Sequence, residues 1–223
     1  MRFSTNLFVI SVFLALWTAQ ANAQAPVAIV EDVYSSTAGV EFMDYLTAGR
    51  TIRLSTGDRL TVGYLKSCWR ELITGGTVTV GAEQSEVIGG TVERARARCD
   101  APKRSLTKET AGSGAMVFRK KAELPAPDQT VYSLSPVFEL KGPANIIIER
   151  LDKSEKSIAL AATALQLLRG AFLDLSNTNV VLTAGGLYRA KTPDAEIIIK
   201  VDPTADSKDA PIIGRLVRLL PSN

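Results

Sequence analysis

The chain has 223 residues, with 26 basic and 23 acidic side chains, no histidine and a formal charge of +3. Near balance of charge gives no global pull toward nucleic acid. The missing histidine excludes Ser-His-Asp and Cys-His catalysis and histidine zinc sites within one chain, and two cysteines cannot build a four-thiolate site.

Arg2 is the only charge ahead of an apolar run over residues 7–17, and Ala21-Asn22-Ala23 precedes Gln24-Ala25-Pro26. A charged start, a short apolar core and an A-x-A site predict a secretory signal peptide over residues 1–23, cut after Ala23. The rival, an uncleaved anchor, needs roughly 20 apolar residues, more than this run supplies. No later segment is apolar enough for a span, so the expected mature protein is periplasmic or secreted. In that oxidising setting the even pair Cys68 and Cys99 favours one disulfide. Closing a loop of about 31 residues is worth about 3–4 kcal/mol on chain-entropy grounds. The alternative, a reactive thiol at Cys68 beside Lys66 and Arg70, is disfavoured by the available partner cysteine.

Residues 27–34 (VAIVEDVY) predict a first strand and residues 40–46 (VEFMDYL) a second. Residues 49–99 organise the N-terminal half. Ile52 and Leu54, Leu60 and Val62, and Val78 and Val80 alternate between Gly57-Asp58, Gly75-Gly76 and Gly89-Gly90, which predicts about five antiparallel strands joined at glycine turns. The last, residues 91–99, sets Ala95, Ala97 and Cys99 on one face and Arg94, Arg96 and Arg98 on the other. The first face is small and buryable; the second is a line of guanidinium groups. Residues 111–121 predict one more strand, and the proline-rich 123–129 read as a linker. The expected organisation is a β-domain over 24–122, a linker over 123–132 and a second β-domain over 133–223.

In that second half, residues 135–140 and 145–151 predict strands. Residues 157–172 favour helix by their alanines and leucines, whereas Ile158, Leu160 and Ala162 alternate as a strand, and strand is the favoured reading. Leu182, the Gly185-Gly186 turn and Tyr188 are similar to the tyrosine corner of immunoglobulin-like sandwiches. Residues 197–201 should hairpin back, and 212–220 should add a last strand or a short helix. The expected fold class is mainly β throughout.

The remaining motifs argue against chemistry. Ser105 and Lys108 match S-x-x-K, but SDN and KTG are missing and the segment reads as loop. Glu149, Asp152 and Glu155 alternate with Arg150, Lys153 and Lys156 as a solvated turn rather than an acid–base pair. Asp202, Asp206 and Asp209 lack EF-hand spacing, and no phosphate-cradling glycine motif is present. No catalytic residue, cofactor or metal is assigned, and the chain is read as a non-enzyme. One feature stands out: between Arg94 and Lys121, Arg94, Arg96, Arg98, Lys103, Arg104, Lys108, Arg119, Lys120 and Lys121 face only Glu93, Asp100 and Glu109. Arg94, Arg96, Arg98, Arg119 and Lys120 are the candidate binding residues, since guanidinium forks suit anionic glycans, lipid phosphates or an acidic partner. The competing reading is an edge strand kept unpaired by charge.

Residues 49–80, through Gly57, Asp58, Leu60, Ser67, Gly76 and Val80, resemble the periplasmic FecR-like domain. Two departures accompany the likeness: Gly75-Gly76 stands where Asp-Gly is usual, and Cys68-Trp69-Arg70-Glu71 replaces a small or apolar segment. Best-known members pass a siderophore-transport signal to a sigma factor through a cytoplasmic region and a membrane helix, where this chain has a signal peptide. The resemblance therefore implies a β-rich binding or scaffolding domain of the cell envelope, followed by an immunoglobulin-like module. The partners expected are an envelope protein or an anionic glycan, and no nucleic acid.

Overall fold

A computed structural model describes residues 24–100, 124–206 and 210–221. The protein is mainly β. Alternating apolar residues make the strands, and each strand buries the face on which they fall. Strands β1 (Ala28–Tyr34), β2 (Tyr45–Leu46), β3 (Thr51–Tyr64), β4 (Trp69–Val80), β5 (Ser85–Ile88) and β6 (Thr91–Arg96) form one antiparallel sheet. Its order is β2-β1-β3-β4, with β5 and β6 pairing successive stretches of β4.

The glycine pairs act differently from the sequence expectation. Gly57 lies inside β3 and Gly75-Gly76 inside β4, so residues 49–99 form four strands, not five. Opposite them the β3–β4 register shifts between Leu54 and Arg59, and Asp58 pins the irregularity by accepting from Ser35 Oγ at 2.7 Å and Ser55 N at 2.9 Å. Gly76 has φ +82°, and a Cβ there would lie 2.5 Å from Gly90 N and 2.6 Å from Ile88 O. The glycines thus bend a long strand pair rather than end it; only Gly89-Gly90 is a turn, between β5 and β6. The expected second strand also shrinks, to Tyr45–Leu46, because Met43 takes a left-handed φ of 69°. Val30, Leu60, Val62, Ile73 and Val78, all fully buried, fill the core beneath.

The C-terminal unit has two sheets. Strands β7 (Gln129–Ser133), β8 (Val137–Glu139), β9 (Ala144–Arg150), β10 (Ile158–Ala162), β11 (Phe172–Asp174), β12 (Leu187–Lys191), β13 (Glu196–Asp206) and β14 (Leu216–Arg218) arrange as β10-β9-β12-β13-β7 and β11-β8-β14. Phe138, Ile146, Ile148, Ile199 and Val217 close the core between them. Strand β7 begins inside the residues expected to be linker, pairs parallel with β13, and is preceded by an Asp128 N–H bonded to the Ile198 carbonyl. Residues 157–172 begin as the favoured strand, β10, and continue as turns into β11. Residues 212–220 make both alternatives in succession: one helical turn, α1 (Ile212–Arg215), then β14.

A third apolar cluster joins the two units. Ile29 and Met43 from the first pack with Val137, Phe172, Ile212, Ile213 and Leu216 from the second. Strand β1 is therefore buried on both faces: Ala28 and Val30 enter the first core, while Ile29 enters the junction. The β1–β3 register shifts between Val30 and Asp32, and Glu31 at that irregularity is buried.

Candidate binding surface: the arginine strand and the junction

Strand β4 is the template for the arginines. Its register places Trp69 opposite Arg96 and Glu71 opposite Arg94 on β6. Glu71 occupies a core position of the alternation and its side chain is completely buried. An anion there needs a partner and hydrogen-bond donors to offset lost hydration. Both come from neighbouring strands: Arg94 Nε donates at 2.7 Å, and the Ser85 N–H donates to both carboxylate oxygens at 3.1 Å. Arg94 also donates to the Ser85 carbonyl at 2.7 Å. Beside this set, Tyr64 and Ser85 share a hydroxyl hydrogen bond of 2.8 Å, and burial pushes the Tyr64 phenol up to about 12.

The other two arginines have separate employments. Arg96 donates to the Ser67 carbonyl at 2.5 Å and lies 4.4 Å from the centre of the Trp69 ring. Arg98, beyond the end of β6, donates to Asp202 Oδ1 at 2.6 Å and Thr204 Oγ1 at 2.7 Å, with its guanidinium 4.7 Å from the Tyr132 ring centre. Thr204, before Arg98, is the main cause that holds the Asp202 carboxyl below its ordinary range. The strand face expected to carry three free cations therefore covers the rim of one core and reaches the other unit. Ala95, expected on the buried face, is exposed, while Ala97 and Cys99 are half-buried against the junction. Arg119 and Lys120 lie outside the described residues.

Cys68 and Cys99 form the expected disulfide, with their Cα atoms 5.8 Å apart. It ties the β3–β4 turn to the chain just after Arg98, and Ala97 N–H bonds to the Cys68 carbonyl alongside.

The junction holds a second buried carboxylate that sequence reasoning missed. Glu31 accepts from Arg70 Nε at 2.7 Å and from the Ile213 N–H at 2.9 Å. Gly63 makes this approach possible, since a Cβ there would sit 2.5 Å from Ile213 Cγ2 and 2.7 Å from Glu31 Oε1. Further out, Tyr45 donates to Glu139 at 2.6 Å while Arg218 pairs with the same carboxylate at 3.0 Å and stacks 4.9 Å from the Tyr45 ring centre. Burial, seconded by the Glu139 charge, raises the Tyr45 phenol well above its ordinary value. Arg169 bonds to Glu41 and Asp44 across the same boundary. None of these pairings has a periodicity in sequence, because each joins residues distant in the chain, from 39 positions for Arg70 and Glu31 to 182 for Ile213 and Glu31.

The third buried acid, Asp174, is held by Arg215 in a two-pronged pair at 2.7 and 3.0 Å. Burial raises its carboxyl, but the Arg215 and Ser176 hydrogen bonds outweigh burial and leave it lowered. The acids weighed from sequence are surface pairs: Arg150 with Asp152 and Glu155, Glu149 with Lys191 and Arg189. Among the described residues no three carboxylate, cysteine or histidine side chains converge as metal ligands, and no helix is long and apolar enough to cross a membrane. A cavity of about 210 Å³ lies between the 140–144 loop and the 192–194 turn, beside Leu219. It falls below the roughly 300 Å³ at which small-molecule pockets begin.

Comparison with protein-family models, curated proteins and solved structures found no match.

Proposed function

We propose that the chain is an exported, non-enzymatic scaffolding protein of the cell envelope, built from a FecR-like β-unit and an immunoglobulin-like sandwich held as one body. The junction carries this reading: an apolar cluster shared by both units surrounds Glu31, whose two partners come from β4 and from α1. An apolar junction rimmed by ion pairs fixes the relative orientation of the two units, which is what a scaffold requires. Interfaces between independently moving domains are more polar.

Two further observations support the immunoglobulin-like half. Tyr188 opens β12 after the glycine turn, and its hydroxyl accepts the Thr183 N–H at 2.9 Å, closing back on the upstream chain as a tyrosine corner does. The order β10-β9-β12-β13 faces β11-β8, as the C′-C-F-G strands face E-B in that fold. The FecR-like reading rests on Gly57, Asp58, Leu60, Ser67, Gly76 and Val80.

A second reading, recognition of an anionic glycan or lipid through Arg94, Arg96 and Arg98, draws on the exposure that remains at Arg98, whose side chain is 51% accessible. It ranks lower because each of the three guanidinium groups already holds a partner within the protein. In-cell cross-linking followed by purification of the tagged chain separates the readings. The scaffold reading expects a chain beginning at Gln24, in the periplasmic fraction, joined to a defined envelope protein and eluting from an anionic matrix at low salt. Full-length chain in the cytoplasm, or no envelope adduct, overturns it. Strong salt-sensitive retention on the matrix favours the second reading.

A further inference from the structure

Strand β6 ends at Arg96, and residues 97–100 then cross from one unit to the other. On the C-terminal side this strap is held firmly. Arg98 donates to Asp202 at 2.6 Å and Thr204 at 2.7 Å, both on β13, and Asp100 accepts the Thr130 N–H of β7 at 2.9 Å. Ala97 and Cys99 pack against the apolar cluster shared by the units. The strap also lies directly against α1, since a Cβ at Gly214 would collide with the Arg98 carbonyl.

On the N-terminal side it is tied back by the Cys68–Cys99 disulfide and by the Ala97 N–H, bonded to the Cys68 carbonyl at 2.9 Å. Both ties meet at Cys68, whose φ of 57° is left-handed. A residue other than glycine keeps that backbone state only where its surroundings impose it. Freeing the Cys68 sulfur therefore lets the β3–β4 turn relax away from the strap, and the neutral hydrogen bond goes with it. Both cysteines are only half-buried, so a small thiol can reach them.

We propose that this disulfide is a redox-set clamp between the units: closed, it makes them one body, and opened by a dithiol, it lets them move independently. The step is thiol–disulfide exchange. One thiolate of the dithiol attacks a sulfur of the pair, giving a mixed disulfide, and its second thiol displaces the protein. The dithiol leaves as a disulfide, and its two protons pass to Cys68 and Cys99. The apolar cluster then joins the units without a covalent tie beside it.

Pulse-labelled hydrogen exchange across a urea titration tests this, with β3 amides reporting the N-terminal unit and β12 amides the C-terminal one. In the oxidised protein the two sets should share one midpoint. With dithiothreitol as the dithiol, both cysteines should become alkylable without urea. The Thr130 amide should exchange faster, and the β3 midpoint should fall below that of β12. Reoxidation should restore the single midpoint. A bond that resists dithiothreitol in the folded protein, or an unchanged Thr130 amide, overturns the proposal. So do midpoints that fall together, or reduction that abolishes β12 protection, since the bond then acts on stability alone. The inference rests on the one-body reading, and the two fail separately. Two midpoints in the oxidised protein sink that reading, whereas one shared midpoint after reduction sinks only the clamp.

Discussion

The two units bury similar Val, Ile and Leu alternations by different means. The N-terminal unit folds one sheet of long strands over its core, bends it at Gly75 and Gly76, and staples the turn of its longest hairpin to the end of β6 with a disulfide. The C-terminal unit faces two sheets of mostly short strands across a core and contains no cysteine. In place of a staple it has Asp174–Arg215, both side chains buried, clamping its last segment to β11. The N-terminal counterparts keep the acid buried but leave the arginine partly in water, at 31% exposure for Arg94 and 42% for Arg70. The N-terminal hairpin has a covalent tie, whereas the segment over α1 and β14 is held by the β8 ladder, packing and a buried ion pair.

The sharpest way to break that contrast is Arg215→Ala. It strands Asp174 as an unpaired buried charge and should cost about 3–5 kcal/mol, read as a drop in urea midpoint. The apolar double variant Asp174→Leu with Arg215→Met should cost much less, because no charge is left uncompensated. Replacing both Cys68 and Cys99 with serine should cost about 3 kcal/mol, by freeing the unfolded chain of its loop. The loss should be reproduced by reducing agent in wild type. Gly76→Ala should cost about 1–3 kcal/mol in thermal denaturation, for the positive φ; the clash with the Gly89–Gly90 turn acts in the same direction.

Acid offers a milder probe of the C-terminal unit. The Arg150 hydrogen bond, aided by the Leu187 N–H, holds the Asp152 carboxyl at about 2, against about 4 in an unfolded chain. A folded value below the unfolded one stabilises the protein fully above pH of about 4, and that contribution disappears as pH falls toward about 2. Asp152→Asn should therefore flatten the fall of the urea midpoint over this window, with little change at neutral pH beyond the lost ion pair.

The β class and the first strand were legible because each is written locally, in period-two alternation. The cysteine pairing was legible for a different reason, since the chain has only two cysteines. Gly75-Gly76 was misleading: glycine marks a positive φ, and sequence alone does not say whether the chain reverses there or bends on. The expected arginine face is shorter than the alternation suggests, since β6 ends at Arg96 and leaves Arg98 beyond it, and Arg94 on that face is held by Glu71 on another strand. Ala95 is exposed for the same reason. The start of β7 within expected linker was hidden because its parallel partner, β13, lies some seventy residues away.

That the two units behave as a single body is the claim on which the scaffold reading turns. In a variant that starts at Gln24, Trp69 is the sole tryptophan and reports the N-terminal unit, while hydrogen exchange at the β12 amides reports the C-terminal one. Followed together through a urea titration, the two signals should move in one coincident transition. Two separated midpoints would contradict the account.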